Sequence, residues 1–168
     1  MNIFAQIKQV DRFQKVNYYT VHFEHKPVSE FEDFIQKHEN NLDVNDEFSD
    51  IISWLEKIGN EIGANKNYFR HEKKADALPP PSKFIEIDYT ENLRLYCMRV
   101  SDSIVILFNG GIKTKGVSSA QSCPMVSTFF DSANKLVQSI YSLITERAIT
   151  ISKDGFELLH IEGTDIII

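Results

Sequence analysis

Apolar positions along this chain repeat with two periods, and the switches between them mark out the elements. Residues 2–10 and 16–24 read as strands joined by a polar connection, Asp11 to Lys15. The second has the β-branched and aromatic content of a sheet member, and His22 within it reads as a structural histidine. Ser29-Glu30-Phe31-Glu32 then fits a capping box, opening a helix to about Glu39 whose stripe is Phe31, Phe34 and Ile35. A longer helix over 45–61 repeats apolar residues at three- and four-residue steps: Phe48, Ile51, Ile52, Leu55, Ile58 and on to Ile62, with Trp54 at the stripe's edge. Gly63 ends it, and 64–82 reads as one long connection closing on Pro79-Pro80-Pro81. Residues 83–90, 93–100 and 103–109 read as three consecutive antiparallel strands, and Gly110-Gly111 as the turn after them. A helix follows, with Ser122 as N-cap and Pro124 in its first turn, and runs to about Arg147. The tail, 148–168, divides into three short strands at turns over 153–155 and 162–165. Pairing its last residues with 2–10 would protect an exposed edge. The expected class is α+β: an antiparallel sheet of about four core strands, packed against an N-terminal helical hairpin and a C-terminal helix.

Composition adds constraints. With 168 residues, 42% hydrophobic and 25% charged, the chain suits one core and has the make-up of a soluble globular protein. No apolar run approaches the roughly 18 residues that would span a bilayer, and the first residues lack a signal-peptide pattern, so a cytoplasmic location is expected. Cys97 and Cys123 have no metal-ligand spacing and read as thiols. A net charge of −6 argues against a strongly basic nucleic-acid binder, but the total hides an asymmetry. Residues 24–61 hold eleven acids against three lysines, whereas 66–83 hold five cations against two acids, and 94–115 four against one. One part of the molecule therefore suits solvent or a basic partner, the other an anion.

Candidate chemistry lies in the cationic parts. Arg94 on one strand, with Lys113 and Lys115 beyond its neighbour, would form a compact cluster on one side of a sheet. The connection at 64–82 gathers Arg70, His71, Lys73 and Lys74 beside Tyr68 and Phe69. Cations interleaved with aromatics suit a phosphate backbone and a stacked base; a basic solvated loop pinned by two buried aromatics accounts for them equally well. No phosphate-binding Gly-rich loop, H-E-x-x-H or paired C-x-x-C occurs.

The run Arg94-Leu95-Tyr96-Cys97-Met98-Arg99-Val100, then Ile104 to Phe108 and Lys113, resembles the third and fourth strands of the RelE/ParE superfamily of type II toxin–antitoxin toxins, HigB-like members included. The phrase Tyr68-Phe69-Arg70-His71-Glu72 through Ala77-Leu78-Pro79 is similar to the segment before the sheet in many of them. The resemblance implies a single RelE-like domain over 1–168, its core about 17–147, with 148–168 as additional strands. It implies a translation-inhibiting toxin that cleaves mRNA on the ribosome without metal or cofactor, restrained by an antitoxin of helix-turn-helix type. Gyrase-directed protein binding and a non-toxic relative are the alternatives. Arg94 and Lys113 take the family's phosphate-stabilising positions, Lys115 stands in for a second arginine, and His71 is the proton-transfer candidate. Arg70, Lys73, Lys74 and Tyr96 fall to substrate binding, Tyr96 by stacking on a base. The family's other basic residues are replaced by Glu86, Asp88 and Thr114, and its later tyrosine is missing from Val117-Ser118-Ser119-Ala120.

Overall fold

The structure, a computed structural model, describes residues 2–81, 91–114, 126–160 and 166–167. In chain order they form β1 (Phe4–Arg12), β2 (Asn17–Phe23), α1 (Glu30–His38), α2 (Asn45–Lys57), β3 (Arg70–Glu72), β4 (Ala75–Leu78), β5 (Glu91–Arg99), β6 (Ile104–Thr114), α3 (Ser127–Thr145), β7 (Ile149–Ile151), β8 (Leu158–His160) and β9 (Ile166–Ile167). Seven of the strands make one sheet, in the order β3-β4-β5-β6-β2-β1-β9, and β7 and β8 pair separately.

The α+β class is as expected, but the sheet is larger than four strands and is mixed rather than antiparallel. β2 runs parallel to β6, from Asn17 opposite Ile104 to Thr20 opposite Leu107, because the α1–α2 hairpin carries the chain across the sheet before it returns. The remaining pairings in this sheet are antiparallel. The anticipated closure by the tail is present: Phe4 faces Ile167 and Ala5 faces Ile166.

Two apolar layers flank the sheet. On one side α1 and α2 bury Phe31, Phe34, Ile51 and Leu55 against Val16, Tyr18, Leu93, Leu95 and Leu107. On the other, α3 buries Phe130, Ala133, Leu136, Val137 and Ile140 against Tyr19, Val21, Tyr96 and Phe108. Alternation along each strand sends neighbouring residues into opposite layers. The capping box at α1 forms as its sequence requires, with Ser29 Oγ accepting from Glu32 N and the Glu32 carboxylate accepting from Ser29 N. α2 passes into a wider π-type turn at Ile58–Ile62. Gly59 there lies against the Phe13 ring, where an added Cβ would come within 2.7 Å.

Two readings of the sequence need correction. The 64–82 connection is not structureless, since it folds into the β3–β4 hairpin, with Arg70 opposite Ala77 and Glu72 opposite Ala75. Short alanine-rich strands have weak local propensity, and β4 is held by pairing with β5 from Asp76 opposite Cys97 to Leu78 opposite Leu95. Gly110-Gly111 is not a turn after the strand either; β6 continues through both to Thr114. The register with β5 slips between Leu95 and Cys97, where β6 carries one extra residue, and Gly110 sits at the tight end of that bulge. The strand expected over 83–90, the Ser122 cap, Pro124 and Cys123 lie outside the described residues; the described part of α3 starts at Ser127. Among the described residues no helix is long and apolar enough to cross a membrane.

Candidate anion site on the sheet

Register decides which of the predicted residues meet. Arg94 lies between Leu93 and Leu95, both in the hairpin-side core, so it faces the α3 side together with Tyr96. Arg94 is opposite Gly111 on β6, and Lys113 lies two residues further on the same face. Arg70 pairs with Ala77, which pairs with Tyr96, so Arg70 and its i+2 neighbour Glu72 face that side as well. The sheet thus gathers Arg70, Glu72, Arg94 and Lys113 on one face, from three strands.

His71 is not with them. It pairs with Asp76, which pairs with Cys97 of the hairpin-side core, so His71 points to the opposite face. Its Nδ1 lies 3.1 Å from Asp76 Oδ1, while Asp76 Oδ2 accepts from Arg99 N at 3.4 Å. Burial raises the Asp76 carboxyl above its usual range, offset in part by the Arg99 amide and by His71. Tyr96 shares the Arg94 face as expected but is fully buried, its ring edge-on to Phe130 at 6.1 Å, so it is a core side chain and not a base-stacking platform. Lys115 lies outside the described residues. Lys73 and Lys74 form the β3–β4 turn, beside α3.

The electrostatics of the shared face are those of an anion site. Arg94 is only 6% exposed. Its Nη1 donates to Leu93 O at 3.3 Å, and its buried Nε has no hydrogen-bond partner among the described residues. Burial pulls its pKa down, opposed chiefly by Glu72. Arg70 is half-buried, donates from Nε to Pro79 O at 2.9 Å, and is pushed down to about 10 by burial and by the neighbouring Arg94 charge. Both guanidiniums stay charged at neutral pH. A buried guanidinium with an unmet N–H is costly, and a second cation beside it adds repulsion that Glu72, helped by Tyr96 and Glu47, only partly offsets. An anionic oxygen would satisfy both.

Glu72 was not singled out by sequence reasoning, because strand alternation inside a supposed loop has no meaning until β3 exists. Cys97 is a buried thiol whose pKa burial raises well above the ordinary value, which makes it a poor nucleophile. The described residues contain no group of three or more His, Cys, Asp or Glu side chains placed to hold a metal. No protein-family model, no curated protein and no solved structure matches this chain.

Proposed function

We propose that this chain is a RelE/ParE-type toxin that grips mRNA on the Arg70–Arg94–Lys113 face and cleaves it on the ribosome without a metal. The single observation carrying the reading is the buried Arg94 guanidinium with its unmet Nε–H, flanked by a second arginine and sharing its sheet face with Lys113. The run β2-β6-β5-β4 beneath an N-terminal helical hairpin, with α3 on the other side, supports the family likeness. In this reading Arg94 and Arg70 hold the phosphate oxygens as negative charge grows on them. Glu72 replaces His71 as the base, since it is the carboxylate of that face. It takes the ribose 2′-OH proton as the 2′-oxygen attacks the adjacent phosphorus. The P–O5′ bond breaks, the departing oxygen takes a proton from solvent or Lys113, and a 2′,3′-cyclic phosphate remains. A cognate antitoxin would restrain the toxin by covering this face.

Ribosome-dependent cleavage of a defined mRNA tests the proposal. Glu72→Gln is expected to slow cleavage by about 10²-fold or more and to lower the melting temperature, because its charge offsets the Arg70 and Arg94 guanidiniums. Lys113→Ala should slow cleavage by about 10²-fold with thermal stability unchanged. Wild-type protein that leaves mRNA intact on ribosomes would sink the nuclease reading. The gyrase-directed alternative draws on one observation, that His71 and Arg94 face opposite ways. It predicts growth arrest with DNA damage and gyrase co-purification while mRNA survives.

A further inference from the structure

Where the β3–β4 turn meets α3, a pocket of about 230 Å³ is lined by Lys73, Lys74, Asp131, Asn134, Lys135 and Gln138. Its cations come from two elements far apart in sequence, and their meeting is built rather than incidental. Asn134 is buried on α3, and its Oδ1 accepts from the backbone N–H groups of both Lys74 (2.7 Å) and Ala75 (3.0 Å), while its Nδ2 donates to Phe130 O at 2.8 Å. That clamp fixes the turn over the helix. Lys74 Nζ then donates to Gln138 Oε1 at 2.9 Å, which holds this ammonium at the pocket wall. Lys73 sits in the left-handed region, with φ of 71°, at a position where a glycine would be unstrained. Holding a lysine there costs conformational energy, and strain of this kind gathers where a side chain is needed for binding. Among the described residues neither Lys73, Lys74 nor Lys135 has an ion-pair partner. Three cations against Asp131 leave the pocket with a net positive charge.

We infer that this pocket seats a phosphate of a single-stranded RNA whose backbone continues onto the Arg70–Arg94 face. The turn joins the two sites directly: Glu72 precedes Lys73, and Arg70 and Glu72 face the same side of the sheet as α3. The choice of RNA as the source of the phosphate rests on the toxin reading; the phosphate chemistry does not. Lys73→Gly removes one charge and relieves the positive φ, so it should fold at least as well as the natural chain. Lys135→Ala removes a second charge from an exposed helix position.

The test is equilibrium binding of a short labelled single-stranded RNA by fluorescence anisotropy across a salt series, with no ribosome present. Each lysine removed should weaken binding several-fold at moderate salt and flatten the slope of log K against log salt by about 0.7. The melting temperature of Lys73→Gly should not fall. Competition by inorganic phosphate at millimolar levels would show that a free phosphate suffices, whereas competition by RNA alone assigns the site to a backbone. Both outcomes require the lysine dependence. Wild-type affinity and slope in Lys73→Gly and Lys135→Ala overturn the pocket even if mRNA is cleaved, and so does a wild-type chain that does not bind RNA. Lysine-dependent binding without cleavage keeps the pocket and removes the nuclease proposal.

Discussion

Gly110 stands where β6 comes so close to β5 that an added Cβ would meet the Arg94 carbonyl oxygen at 1.7 Å and its carbon at 2.7 Å. The neighbour is backbone inside a sheet and cannot turn aside. Gly110→Ala should therefore destabilise by about 3 kcal/mol, read as a lower urea midpoint with little change in m-value, and should disturb Arg94 as well. A second residue contributes to the pH response. His38 ends α1 with its ring 4.9 Å from that of Phe34. Burial and then the charge of Lys37 push its pKa below 6.5, only partly offset by the Gly110 carbonyl and Asp33. The unfolded chain therefore binds more protons than the folded one between the depressed pKa and 6.5. The contribution of His38 is fully present above about pH 6.5 and is lost as pH falls toward the depressed value. Urea midpoints at pH about 7 and about 5 should show that loss, and His38→Gln should reduce it. Identical pH slopes in both proteins would refute the assignment.

The β3–β4 hairpin is the element on which both candidate sites depend, and little in its own residues makes it fold. Neither Glu72-Lys73-Lys74-Ala75 nor Ala75-Asp76-Ala77-Leu78 carries a glycine, an asparagine or a β-branched run. Its order comes from outside, through β5 on one side and Asn134 on the other. Asn134→Ala should leave two backbone donors without acceptors, a loss of about 2 kcal/mol, with earlier amide exchange at Lys74 and Ala75 than elsewhere in the sheet. Exchange rates at those two amides equal to wild type would show that the clamp is dispensable. α1 adds a comparable tie at the central strand β6. Lys37 Nζ donates to Asn109 Oδ1 at 3.0 Å, Asn109 Nδ2 donates to Asp33 Oδ2 at 2.6 Å, and Lys37 lies 4.0 Å from the centre of the Phe129 ring. This fastens the Asn109-Gly110-Gly111 segment beside which Arg94 is buried.

At the scale of the whole molecule, the sheet separates two electrostatic territories. The acidic α1–α2 hairpin covers one face; Arg70, Arg94 and Lys113 lie on the other, with the lysines of the turn and Lys135 at its rim. Losing Lys113 should then change cleavage and leave stability alone, because it does not hold the two cores together, whereas losing Glu72 should lower stability as well, since its charge offsets the buried guanidiniums. Much of this was legible in the residues. Helical periodicity placed α1, α2 and α3, the Ser29–Glu32 box fixed where α1 begins, and the charge count separated an acidic segment from two basic ones, since each of these follows from neighbours within a few positions. Face assignment was not legible across 64–82. His71 and Arg70 are adjacent in sequence, yet alternation turns them to opposite sides, and that alternation holds only because a distant strand and helix order β3. The parallel β2–β6 pairing, the bulge at Gly110 and the meeting of Lys73 with Lys135 likewise depend on contacts between segments tens of residues apart. Local periodicity determined the elements and the cations they carry. Long-range strand register and the α3 clamp decided which of those cations share a site.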